Sequence, residues 1–386
     1  MLNSLYASLP GLDGAIERHR YLNDAQALWH DLERLLNANA PSAGSWLPGA
    51  IGDDIGTIAD SLGLGAHFIP HLKRTGNSAL RLGAPGETAD VIVVAHMDRP
   101  SFRPRDLATG ELYPMCSIRI PGQAYTCAAK AVRFTDGRMV ISARGTITLE
   151  KRDGVDSIRF AAESGSLAHG DTVMMDVEPV LKDGVVTATG LDNCLGVISA
   201  LGAAAALAAV EPHLQKLGKR LLIVFSDQEE GIPDAFFGYG ASRLTGIMPA
   251  PTYGMICVDG QTAGANGGSP RMGEGAGFGT VSGWSRGSVV PPNYVSLGVD
   301  LAAAVNAASP GSVQINTGYL SRSDDMILSR WTQILAMIGP PMANPHTVQE
   351  TARLSDLQHT IRWLTLYLTA VLGMDEALNQ AYVLNR

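Results

Sequence analysis

Three stretches of the chain are apolar without alternation. Val91-Ile92-Val93-Val94-Ala95, Leu221-Leu222-Ile223-Val224-Phe225 and Tyr253-Gly254-Met255-Ile256-Cys257-Val258 have the pattern of strands buried on both faces of a parallel sheet. Each breaks abruptly into polar residues: His96-Met97-Asp98, Ser226-Asp227-Gln228-Glu229-Glu230, and Asp259-Gly260. Elsewhere the apolar spacing is helical. Leu28, Leu32 and Leu35-Leu36 make a stripe within residues 13–38, residues 54–64 read as a short helix, and residues 299–308 as another. Leu354, Leu357, Ile361, Leu364 and Leu368 mark an amphipathic C-terminal helix. The uncharged Ala/Gly-rich run from Asn193 to Val210 is marginal for a membrane span, which needs about 20 residues, and reads as a buried core helix. Together these patterns predict an α/β fold with a mixed, mostly parallel central sheet flanked by helices.

Between the first buried strand and the core helix the texture changes. Asp136-Gly137, Asp153-Gly154 and Asp183-Gly184 punctuate segments such as Met139-Val140-Ile141-Ser142 and Thr146-Ile147-Thr148-Leu149. Asp-Gly between such segments is a strong hairpin signal. Residues 99–186 are therefore expected to form an inserted β-rich, barrel-like domain, with 1–98 and 187–386 as the two parts of one α/β domain.

A net charge of −8 and a pI near 5.6 argue against a nucleic-acid or anionic-membrane partner. The four cysteines (Cys116, Cys127, Cys194, Cys257) lack C-x-x-C spacing and fit reduced thiols in a cytoplasmic protein. The N-terminus has no basic n-region or sustained apolar h-region, so no signal peptide is expected.

Ligands of α/β sheets collect beyond the carboxyl ends of the strands. Glu229 and Glu230 alone could be a solvated acidic turn. With His96 and Asp259 ending two other core strands, the grouping reads as a metal site. In an extended segment, adjacent residues point to opposite sides, so Glu229 and Glu230 are expected to hold different roles. Asp192 could cap the core helix, but beside those residues it is favoured as a carboxylate bridging two metals. Thr347 with Glu350 reads as a capping box that places His346 just before a helix. Gly273-Glu-Gly275-Ala-Gly277 lacks the strand and lysine of a phosphate loop. Gly283-Trp284-Ser285-Arg286-Gly287 matches a nucleophile elbow, but Val289-Val290-Pro291-Pro292 is a poor helix start for one.

Five segments in order, Ala95-His96-Met97-Asp98, Leu191-Asp192-Asn193, Gln228-Glu229-Glu230-Gly231, Val258-Asp259 and His346-Thr-Val-Gln-Glu350, resemble the two-metal aminopeptidases of the glutamyl and tetrahedral aminopeptidase type, as does the β-rich insert between the first two. The resemblance implies the zinc-peptidase form of the fold. It also implies two divalent ions per chain, Zn²⁺ with Co²⁺ or Mn²⁺ as alternatives, one held by His96, Asp192 and Asp259 and the other by Asp192, Glu230 and His346. Asp98 would orient His96, and Glu229 would be the general base for the attacking water. The implied activity is release of N-terminal residues from peptide substrates. An amidohydrolase or deacylase with the same centre, or a non-catalytic oligomeric homologue, are the alternatives. Homo-oligomers formed partly through the insert are also implied. The chain departs from many relatives at Cys194 (where they carry Arg), at Arg322-Ser323-Asp324-Asp325 (Gly-Thr-Asp) and near residues 42–45 (Ser-Gly-x-Glu), which bears on specificity and assembly.

Overall fold

The three apolar runs lie side by side at the centre of an eight-stranded sheet. In the computed structural model, which describes residues 1–116, 118–120, 123–152, 155–230, 238–283, 287–318, 322–373 and 375–384, Val91–His96 pairs in parallel with Arg220–Ser226 on one side and with Gly254–Val258 on the other. Ile334–Gly339 continues in parallel beyond Gly254–Val258. Ser78–Gly83 and Phe68–Ile69 extend the opposite edge antiparallel, and Ala276–Gly279 and Val313–Asn316 complete the sheet. Four of the seven strand pairs are parallel, so the sheet is mixed and mostly parallel as the sequence predicts. Every residue from Val91 to His96 is buried, because helices cover both faces. The Leu191–Ala208 and Leu354–Val371 helices pack against each other and against the sheet. Leu191–Ala208 is long and apolar enough to cross a membrane, but 83% of it is buried inside the fold.

The insert supplies the second layer. Six strands, Phe102–Asp106, Glu111–Pro114, Ala124–Thr135, Arg138–Arg152, Val155–Gly165 and Thr172–Met175, close into a barrel around Phe102, Ile147, Leu149 and Phe160. Asp136-Gly137 turns its longest hairpin with both residues at positive φ (50° and 78°), as such a turn requires. Asp183-Gly184 turns the Val180–Lys182 and Val185–Ala188 strands, which lie outside the barrel. They join Glu350–Arg353, Pro341–Ala343 and Gln261–Thr262 in a five-stranded sheet. Asp153-Gly154 lies outside the described residues, as do Trp284–Arg286 of the elbow-like motif.

Three local expectations need correction. The helix read over 13–38 is broken into Leu12–Glu17, Arg20–Asn23 and Ala25–Asn37, the last capped by Asp24, whose carboxylate accepts the Gln26 and Ala27 N–H groups. The helix near 299 begins earlier, at Pro292: a proline in the first turn has no N–H that the helix needs, so Pro291-Pro292 starts the helix instead of preventing it. Finally, Glu350 does not complete a capping box. It lies in the Glu350–Arg353 strand, and the helix begins only at Leu354.

Candidate metal centre

The parallel register brings His96 and Ser226 to the same level at the carboxyl edge of the sheet, one residue before their respective loops. Past Ser226 the chain bends at Gln228, whose φ of 61° turns the following backbone inward. The Glu229 and Glu230 N–H groups then donate to the two Asp98 carboxylate oxygens, at 3.0 and 3.2 Å. Because the segment is bent and not extended, both glutamates enter one buried cluster with His96. They do not point to opposite sides, yet their nearest histidines differ: Glu229 Oε2 is 3.8 Å from His96 Nε2, and Glu230 Oε1 is 3.3 Å from His346 Nε2.

Asp192 sits between these histidines. Its Oδ1 lies 3.1 Å from His96 Nε2 and its Oδ2 3.4 Å from His346 Nε2. It makes no helix-capping hydrogen bond: the cap position belongs to Gly190, and Asp192 itself has non-helical dihedrals. Asp259, just past the third strand, approaches to 3.8 Å of His96 Nε2. His346 has a φ of 59° and sits in a loop. Its N–H donates to Glu350 Oε1 at 2.8 Å, while Glu350 Oε2 accepts the Asp192 N–H at 3.2 Å. One buried carboxylate thus ties together the backbones of Asp192 and His346. The Asp98 carboxylate lies 3.8 Å from His96 Nδ1, and the closer partner of that nitrogen is the Asp98 carbonyl at 3.2 Å.

The electrostatics suit cations. Burial, then Asp192, pushes Asp259 well above the usual carboxylate range. Burial raises Glu229 well above its ordinary value, raises Glu230 to about 7, and with the negative Asp192 raises Glu350 to about 8. His96 goes the other way. Burial would lower it, but Glu229, Asp192 and Asp259 together hold it well above its ordinary value. Burial also opposes the charge on Asp192, but hydrogen bonds from His346 and His96 outweigh it and hold that carboxyl far below its ordinary range. Glu230 Oε1 and Asp259 Oδ1 are buried without a hydrogen bond among the described residues. A dense group of carboxylates that resists full ionisation, with orphaned oxygens and two facing imidazoles, is a donor set that divalent cations complete. His96 with Asp192 and Asp259, and His96 with Glu229 and Glu230, each bring their donor atoms within 4.8 Å of one another.

Two participants were given no role in this site by the sequence. Cys116, in the loop after the Glu111–Pro114 barrel strand, comes within 4.8 Å of the donor atoms of Glu230 and His346. Burial and then the Glu230 carboxylate push its thiol well above its ordinary value. Glu350 was visible as half of a supposed capping pair and as the end of the His346 segment, without a role of its own. Cys194 Sγ accepts a 3.3 Å contact from the Arg99 guanidinium. Asp324 bonds the Ser226 hydroxyl, and Asp325 takes those of Ser282 and Ser288. A cavity of about 540 Å³ lies apart from all of this, against the Ala25–Asn37 helix and the barrel, where Arg34, Lys130 and Arg144 are already paired with Asp54 and Asp176.

The family model described as M42 glutamyl aminopeptidase matches residues 157–363. No curated protein matches the chain by sequence. Among solved structures, the TET aminopeptidase of the marine sediment archaeon Thaumarchaeota archaeon SCGC AB-539-E09 superposes with a TM-score of 0.68 at 14% identity, covering 93% of this chain and 99% of that one. Aminopeptidase APDkam598 from the archaeon Desulfurococcus kamchatkensis gives 0.65 at 18% identity, over 88% and 93% of the two chains. The TET1 peptidase of Pyrococcus horikoshii, described as assembling into a tetrahedron or a large octahedral shell, gives 0.62 at 18%, over 88% and 98%. At these identities the likeness establishes the fold.

Proposed function

The chain belongs to the M42 glutamyl aminopeptidase family and is a metallo-aminopeptidase, and we propose that it releases N-terminal residues from peptides at a centre built on His96, Asp192, Glu230, Asp259 and His346. The observation that carries this reading is the Asp192 carboxylate, which offers one oxygen to each of two histidines from different elements. His96, Asp192 and Asp259 would hold one divalent ion, and Asp192, Glu230 and His346 a second. Mixed imidazole and carboxylate donors suit Zn²⁺ and admit Co²⁺ or Mn²⁺. Bound there, such ions lower the pKa of water and polarise a peptide carbonyl. Glu229 acts as general base, taking a proton from the attacking water and passing it to the departing amine. Its raised proton affinity in a buried setting suits that exchange. Asp98 keeps Glu229 in place by holding the N–H groups of the turn.

The experiment compares Glu229→Gln with Glu230→Gln, measuring metal content together with turnover on aminoacyl fluorogenic substrates and on N-acyl amino acids. Glu229→Gln keeps both ions and loses about 10²–10⁴-fold in turnover; Glu230→Gln loses an ion. The reverse outcome would exchange the roles. Faster hydrolysis of N-acyl amino acids than of aminoacyl substrates would replace the peptidase assignment by a deacylase.

The organisation proposed with this activity keeps residues 1–98 and 187–386 as the catalytic unit and 99–186 as an inserted unit that takes part in homo-oligomerisation. Leu107, Tyr113, Phe134 and Ile141 are exposed apolar side chains on the insert, which supports contact through it. The absence of a disulfide among the described residues supports a cytoplasmic setting.

A further inference from the structure

The carboxylates and imidazoles of the centre come from the α/β unit, but one soft donor reaches it from the barrel. Cys116 is 9% exposed and its sulfur lies within 4.8 Å of the donor atoms of both Glu230 and His346. Its thiol is hydrogen-bonded to the Glu230 carboxylate. The Glu230 Oε1 atom beside it is buried, on a residue only 2% exposed, and accepts no hydrogen bond among the described residues. The S–H proton therefore stands between a sulfur and a carboxylate, with an imidazole nitrogen alongside. Sulfur, carboxylate oxygen and imidazole nitrogen converging on one point form a donor set for a borderline-soft ion.

We propose that Cys116 is a thiolate ligand of the ion held by Asp192, Glu230 and His346, its S–H proton being released to solvent as the ion binds. This rests on the two-ion reading above and deepens it. The sulfur would give the second position a donor that the first (His96, Asp192, Asp259) lacks, so the two ions would differ in how firmly they are held. The ion near His346 holds Asp192 in place and fastens the barrel loop to the α/β unit. Thiolate ligation also biases that position toward Zn²⁺ or Cd²⁺ and away from Mn²⁺.

The test uses the full chain loaded with Co²⁺, read by absorption, and with Zn²⁺, read by X-ray absorption. A thiolate ligand gives a sulfur-to-cobalt charge-transfer band in the near ultraviolet, which oxygen and imidazole donors do not give. It also gives one sulfur scatterer per two zinc ions at about 2.3 Å. The band is lost in Cys116→Ser, kept in Cys194→Ala and Cys257→Ala, and Cys116→Ser yields one of its two ions to a chelator about tenfold more readily. The zinc spectrum needs no variant, so a poorly folding Cys116→Ser leaves the question decidable. Two bound ions with only oxygen and nitrogen neighbours would overturn the thiolate assignment and leave the two-ion centre standing. Chains that bind neither cobalt nor zinc would overturn both.

Discussion

Glu350→Gln tests how the centre is held together. Glu350 is 1% exposed, and its two oxygens accept two different backbone N–H groups, from His346 and Asp192. Glutamine matches the shape but offers one oxygen and one NH₂, so one N–H must face another donor. A buried donor left unmatched costs about 1–3 kcal/mol, so a loss of about 2 kcal/mol is expected. That loss falls on the backbones of Asp192 and His346. Supporting residues behind metal ligands typically alter affinity about 10–100-fold, and 2 kcal/mol corresponds to about 30-fold. Competition against a chelator of known affinity, followed ion by ion, should show the ion shared by Asp192 and His346 leaving first. Glu350→Asp, shorter but still offering two carboxyl oxygens, should fall between glutamine and the native residue. If Glu350→Gln keeps native affinity for both ions while the melting temperature drops equally with and without metal, Glu350 supports only the fold and the reasoning is wrong.

Exhaustive chelation should abolish aminopeptidase turnover and lower the melting temperature, with both restored by Zn²⁺; full activity in a metal-free sample, checked by elemental analysis, would contradict the proposed centre. His19 Nδ1 accepts the Tyr21 N–H and Nε2 lies 2.9 Å from the Gly202 carbonyl, a pairing that only the neutral ring satisfies. Burial lowers its pKa below the ordinary 6.5, so the unfolded chain takes up the proton first as pH falls. Its contribution to stability is therefore full above about pH 6.5 and is lost toward the lower folded value; melting curves from pH 7.5 to 5 should be flatter for His19→Gln than for the native chain. Phe134→Asp, at a half-exposed position on the barrel, should shift the mass distribution in light scattering toward smaller species without changing metal content.

The buried strands were legible because Val91–Ala95 and Leu221–Phe225 have no polar face to hide: an unbroken apolar run has few homes other than the middle of a covered sheet. Once those strands were fixed, His96, Glu229, Glu230 and Asp259 followed, since each stands within a few residues of a strand end. Asp192 was legible only through them. The errors came where a short motif has two physical realisations. Thr347-x-x-Glu350 can reciprocate N–H groups at a helix start, but the same glutamate in a strand can serve two loops from elsewhere. Pro291-Pro292 interrupts a helix from within and initiates one from outside. The bend at Gln228 could not be read, because a positive φ at a non-glycine residue leaves no reliable mark in composition. Cys116 was invisible for a different reason. Its neighbours in space are Glu230 and His346, and no local pattern links a barrel loop to residues so distant along the chain.

That dispersal sets an order of events during synthesis. His96 and Asp192 are separated by 96 positions, and Asp192 and Glu350 by 158. The first histidine and its strand leave the ribosome long before the barrel is finished, and Glu230 and Asp259 emerge after the core helix. His346 and the strand headed by Glu350 come close to the end, and only when that strand pairs with Val185–Ala188 are Asp192 and His346 set against each other. A nascent chain therefore carries Asp192, Glu230 and Asp259 through the synthesis of residues 260–345 without the part that draws the centre tight. The centre is completed late in the chain, with only the Leu354–Val371 and Glu376–Tyr382 helices still to follow.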